Sequence, residues 1–173
     1  MKPVLMIHEV DEWVFNFPLH EYTLTFDDGL FTQYKYFDRI KNIDTDKIFF
    51  ISTGIVATDQ TKQSDEFIQC HVAHEKFFRD NDLSHYMNWR QIQEIHNEPD
   101  CEIGGHSHMH HRPTGNNIIH DTRKMVEKFE SHNIRPTSFC YPYNDENSIY
   151  KEVLKRHGFS EFYGANRVDV HDL

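Results

Sequence analysis

Short apolar runs alternating with helically spaced ones are what most constrain this chain. Val4–Ile7 and residues 22–24, 48–51, 101–103 and 137–141 have the length and composition of buried strands, and a last strand-like segment begins at Phe162. Between them Phe31, Tyr34 and Phe37, then Trp89, Ile92 and Ile95, recur at the spacing of one helix face. Ile118, Ile119, Met125, Val126 and Phe129 continue the pattern, and so do Ile149, Val153 and Leu154. Pro99, Pro136 and Gly158 stand where helices should stop. Strand, helix and strand in alternation build β-α-β units, which predict an α/β fold on a parallel sheet. The stretch 52–83 breaks the pattern: it is polar and irregular, and reads as a long insertion with one helix near residues 65–78.

No repeat or linker divides the sequence, so one domain spanning residues 1–173 is expected, with a core that needs no disulfide. Acidic residues outnumber basic ones 28 to 18, and the absence of any Lys/Arg block argues against a nucleic-acid partner. Cys70, Cys101 and Cys140 are odd in number and far apart, as expected of reduced thiols in a cytoplasmic protein. The apolar run before His8 is too short for a signal-peptide core or a membrane span, so no membrane partner is expected.

Two stretches carry chemistry. Thr25-Phe26-Asp27-Asp28-Gly29 brings two carboxylates to the carboxyl end of a strand, where α/β sheets place their sites, although Asp-Asp-Gly is also ordinary turn chemistry. Downstream, His106 and His110 are four residues apart, and a helical turn would put both imidazoles on one face, able to grip a metal ion. A carboxylate from another strand would complete such a set and leave positions open for water and substrate. A solvated histidine-rich loop is the alternative in a chain with 14 histidines.

The ordered set Thr25–Gly29, Glu102–His110 and Phe139-Cys140-Tyr141-Pro142-Tyr143 resembles the first three motifs of the polysaccharide deacetylases, the family-four carbohydrate esterases. Val4-Leu5-Met6-Ile7-His8 is similar to an opening strand in many members. The resemblance runs from about residue 4 to residue 165 and implies a distorted, incomplete (β/α) barrel with a divalent metal, most often zinc. It implies hydrolysis of an N-acetyl or related acyl group on a sugar or oligosaccharide. Carried over position by position, Asp28, His106 and His110 become metal ligands and Asp27 the general base that takes a proton from the activated water. The backbone N–H of Tyr143 would help hold the oxyanion, with Pro142 stiffening its loop.

The departures are specific. Cys140 stands where many members carry an arginine that orders the catalytic aspartate. No aspartate-tryptophan pair follows Tyr143, and no leucine-rich strand there ends in the histidine that protonates the leaving amine. His8 and His171 are the candidates for that proton donor, and His108 and His111 for supporting hydrogen bonds, each set against an ordinary surface role. A complete eight-fold barrel takes about 200 residues or more, so a reduced barrel with a trimmed groove is expected here. That groove suits a small or exposed acyl sugar met inside the cell. A non-catalytic relative that binds metal or sugar, and an unrelated phosphoesterase holding two ions, are the alternative readings.

Overall fold

The computed structural model describes residues 1–114 and 117–173. Seven parallel strands form one sheet: β1 (Val4–Ile7), β2 (Thr23–Phe26), β3 (Lys47–Ile51), β4 (Cys101–Gly105), β5 (Ser138–Cys140), β6 (Glu161–Tyr163) and β7 (Val168–Asp169). Their order is β6-β5-β4-β3-β2-β1-β7. Chain order is thus kept from β1 to β6, and β7 returns to the free side of β1.

That return requires the sheet to curl. Tyr163 and Val168 sit on opposite edges, yet five residue steps joining them reach at most about 18 Å. Six flat inter-strand spacings would separate the edges by about 29 Å. The result is a curled half-barrel, an incomplete (β/α) barrel with a short link across its mouth.

All five residues of β3 are buried, as expected of a parallel strand covered on both faces. Phe49 and Ile51 face outward into the main core, where the Phe49 ring stacks 4.6 Å from that of Phe26. Ile48 and Phe50 point the other way, clustering with Cys140 and Tyr163.

The helices are α1 (Phe31–Lys35), α2 (Phe37–Ile40), α3 (Cys70–Asp80), α4 (Trp89–His96), α5 (Asn117–Ser131) and α6 (Ser148–Arg156). Asn88 and Gln91 close a capping box on α4, whose Ile92 and Ile95 enter the core. Met125 and Phe129 of α5 and Leu154 of α6 pack the same core. One helix was expected over residues 31–40; Tyr36 leaves helical geometry and splits it, its hydroxyl bonding Asp11 Oδ1 at 3.1 Å. The insertion's helix starts later than expected, and Asn81 ends it in the left-handed conformation. Among the described residues, no helix is long and apolar enough to cross a membrane.

Candidate active site

The carboxyl ends of β1, β2, β4 and β5 converge on a cavity of about 450 Å³. Of the residues singled out in the sequence, His8, Asp27, Asp28, His106, His110 and Tyr143 line it, and His108, His111 and His171 do not. Gln33 of α1, fully buried, ties the first two strand ends together by donating to the carbonyls of His8 at 2.9 Å and Asp27 at 2.7 Å.

Asp28 is held in a left-handed backbone conformation, φ 75°, rare for a residue with a side chain. Ser107, His110, Tyr143 and Asn144 share that region, so backbone strain gathers around one cavity.

No helix carries the two histidines, contrary to expectation: β4 ends at Gly105 and an irregular loop follows. Left-handed Ser107 and His110 bend that loop until both rings face inward, with centroids 4.8 Å apart. Buried Asp121 of α5 clamps it, its carboxylate accepting from the N–H groups of His108 at 2.8 Å and Met109 at 3.0 Å.

One oxygen of Asp28 faces both imidazoles. Oδ1 lies 3.1 Å from His106 Nε2 and 3.2 Å from His110 Nε2. His106 donates from Nδ1 to the Cys140 carbonyl at 2.7 Å, which leaves a lone pair on Nε2 aimed at a carboxylate oxygen. Two electron-rich atoms at that distance repel unless a proton or a metal cation lies between them. Bonds of about 2.1 Å in a tetrahedral site put neighbouring ligand atoms about 3.4 Å apart, close to this spacing. Burial lowers the pKa of His110 despite the pull of Asp28, favouring the neutral form that a ligand must have. The three residues therefore fit a divalent cation.

Asp27 is held by a residue the sequence reading did not find. Burial pushes its carboxyl pKa up, but the charge and hydrogen bonds of Arg167 overturn that and hold it below the usual range. Arg167 crosses the mouth of the curl in the link between β6 and β7, and its fork donates to Oδ1 and Oδ2, each at 2.8 Å. Nη1 also reaches Thr25 Oγ1, Nη2 reaches Asn144 Oδ1, and Nε bonds the Gly164 carbonyl. Cys140 lies beside the fork, with Sγ 3.0 Å from Nη2. The cation missing at position 140 thus arrives from position 167. A signal was present in the sequence: Cys140 stands where many members of the family it resembles carry the arginine that orders the aspartate, so that charge has to come from elsewhere.

His8 Nε2 lies 3.7 Å from Asp27 and 3.9 Å from Asp28. Burial lowers its pKa, but the charges of Asp28, Asp27 and Glu9 prevail and raise it above the ordinary value. His171 is outside the cavity, packed 5.0 Å from the ring of Trp13 and 3.7 Å from Glu9. His108 bonds Thr53 Oγ1 through Nδ1 and does not approach the Asp28 carboxylate. The insertion adds unforeseen residues, for α3 lays Cys70, His74 and Phe78 along the cavity wall.

The class that fold and site define is an incomplete parallel (β/α) barrel with a carboxylate–imidazole cluster at its strand ends. The family model described as polysaccharide deacetylase matches residues 17–162, and the chain belongs to that family. Among solved structures it is similar to IcaB from Ammonifex degensii, at 18% identity and TM-score 0.70 over 97% of this chain and 84% of that one. A de-N-acetylase from Aggregatibacter actinomycetemcomitans is similar at 14% identity and TM-score 0.67, covering 97% and 93%. The BpsB deacetylase domain from Bordetella bronchiseptica follows at 15% and 0.66, covering 97% and 94%. No curated protein matches the chain. Family and fold together support carbohydrate deacetylation.

Proposed function

We propose that this protein is a metal-dependent hydrolase that removes an N-acetyl or related acyl group from a carbohydrate. The observation that carries this reading is the Asp28 oxygen facing two imidazoles, one with its lone pair already directed inward, beside an aspartate kept ionised by Arg167. Asp28, His106 and His110 hold the cation, zinc by family analogy. When bound it supplies Lewis-acid chemistry, polarising the acyl carbonyl and acidifying water.

Asp27 is the general base: it is an ionised carboxylate one residue from the cation ligand, and takes the proton of the attacking water. His8 is the general acid. Its Nε2 lies at the cavity 3.7 Å from Asp27, and its proton passes to the leaving amine as the C–N bond breaks. Arg167 keeps Asp27 ionised and able to accept a proton, which leaves the imidazole of His8 to donate one. The Tyr143 N–H, placed by Pro142 and a left-handed backbone, donates to the acyl oxygen as charge develops on it. Half-exposed Phe78 and Tyr143 at the cavity wall offer flat apolar faces to a sugar ring.

The test is metal content and acetate release on N-acetylated amino-sugar oligosaccharides, for the wild type, Asp28→Ala and Asp27→Asn. The expected result is one ion and turnover in the wild type, neither in Asp28→Ala, and the ion without turnover in Asp27→Asn. A wild type that binds no zinc after reloading, or Asp27→Asn with full activity, overturns the reading.

A further inference from the structure

His74 belongs to the insertion and to no motif of the chain, yet it is nine-tenths buried and faces the cation cluster. Its Nε2 lies 3.3 Å from Asp28 Oδ2, the oxygen turned away from His106 and His110, and its ring centroid is 4.4 Å from that of His110. On the other side, Nδ1 is 2.6 Å from the hydroxyl of Tyr86.

The proton positions follow from Tyr86. The side chain is fully buried, and burial raises its pKa, so the phenol keeps its proton. A buried O–H needs an acceptor, and among the described residues the one it meets is His74 Nδ1. Nδ1 therefore accepts and the neutral ring carries its proton on Nε2, a buried N–H with no hydrogen-bond partner already in place among the described residues and with Asp28 Oδ2 3.3 Å away. A nitrogen that bears a proton is no metal ligand, but it is a donor suited to the free oxygen of a ligating carboxylate. Packing fixes both rings: Ala73 and Phe77 of α3 pack with Tyr86, Leu30 and Ile55 in a small cluster beside the Asp-Asp-Gly turn.

We propose that Tyr86 and His74 form a buried positioning relay, Tyr86 O–H to His74 Nδ1 and His74 Nε2–H to Asp28 Oδ2, that keeps Asp28 Oδ1 turned toward His106 and His110 and so tightens cation binding. The inference rests on the reading of Asp28 as a ligand. It gives the irregular insertion a function: α3 braces the metal-binding carboxylate. Free Asp28 would rotate about its side-chain torsions and lose that freedom on binding; the relay removes that cost beforehand.

The experiment measures zinc affinity by competition with a chromophoric chelator, together with the absorption spectrum of the cobalt-loaded protein, for the wild type, His74→Ala, His74→Gln and Tyr86→Phe. Loss of an outer partner of a metal ligand typically weakens binding about 10–100-fold, and that is expected for His74→Ala. Tyr86→Phe keeps the ring and should weaken binding in the same direction by less, so it carries the test if His74→Ala fails to fold. His74→Gln should recover part of the loss, because its amide can donate to Oδ2. The cobalt spectrum should keep its wild-type shape throughout. Variant affinities within about twofold of a zinc-binding wild type overturn the relay alone. A cobalt spectrum that changes in His74→Ala also overturns it, making His74 a ligand. A wild type that binds no zinc overturns the metal site and the relay with it.

Discussion

Replacing Arg167 with methionine should destabilise the protein and switch off its site at once. The guanidinium is almost wholly inaccessible, at 1% exposure against 3% for Asp27, so the ion pair gains little screening from solvent. Methionine fills much of the space but leaves the Asp27 carboxylate without its fork, and Thr25 and Asn144 without their donor. Removing one partner of a buried pair costs about 3–5 kcal/mol. For a chain of this size that corresponds to a fall in Tm of about 6–20 °C. The loss should depend on pH. Asp27 titrates in the folded wild type below its ordinary value, so the stability it contributes is present above about pH 3.9 and is lost as pH falls through the lower folded value. In Arg167→Met the largest influence on Asp27 is burial, opposed only by the weaker pull of His8 and His106, so its folded pKa rises and protonation relieves the variant. Urea unfolding of both proteins from neutral pH down to about pH 3 should show the gap narrowing with acid. Adding Asp27→Asn to Arg167→Met should recover most of the stability at neutral pH without activity. A gap below about 1 kcal/mol at neutral pH, or one that does not change with acid, refutes the reasoning.

His8→Gln should lower kcat about 10²–10⁴-fold with zinc content unchanged. In the wild type kcat/KM should fall as pH rises through the His8 pKa, and this limb should vanish in the variant's residual rate. Cys140→Arg alone should destabilise the protein, because Arg167 Nη2 already sits 3.0 Å from Sγ; the double variant Cys140→Arg with Arg167→Ala should regain stability and activity, measured by thermal melts and acetate release. Gly54→Ala should destabilise by about 1–3 kcal/mol in denaturant unfolding, since its new Cβ would fall 2.8 Å from the His108 carbonyl and closer still to Met109.

Much of this architecture was legible in the residues, and the illegible parts share a cause. The bounds of β1 are read directly because continuous apolar runs of that length have few other uses, and helical spacing with a stop ahead of Pro99 locates α4 closely. The site's strand-end carboxylates and the His106/His110 pair are likewise local patterns. Arg167 is not local: it lies 140 residues from Asp27 and shares no periodicity with it. His74 sits on a polar helix whose buried positions mix Ala73 and Phe77 with the histidine itself, so no apolar stripe marks it. The histidine loop was read at the right spacing with the wrong local structure, since left-handed conformations at Ser107 and His110 leave no trace in apolar periodicity.

His8 and Arg167 both lie outside the stretch matched by the family model, on either side of it, and both reach the same aspartate. β7 pairs directly with β1, so the segment that follows Arg167 in sequence docks beside the strand that carries His8. A ribosome therefore finishes the Asp28, His106 and His110 cluster long before it finishes the surroundings of Asp27. Until residues 164–169 have emerged and added the last strand, Asp27 lacks the guanidinium that meets both its oxygens, and its strand end has reason to stay open. Completion of the sheet and pairing of the aspartate are one event, so a chain clipped ahead of Arg167 would keep the carboxylate–imidazole cluster and lose both the edge strand and the ion pair.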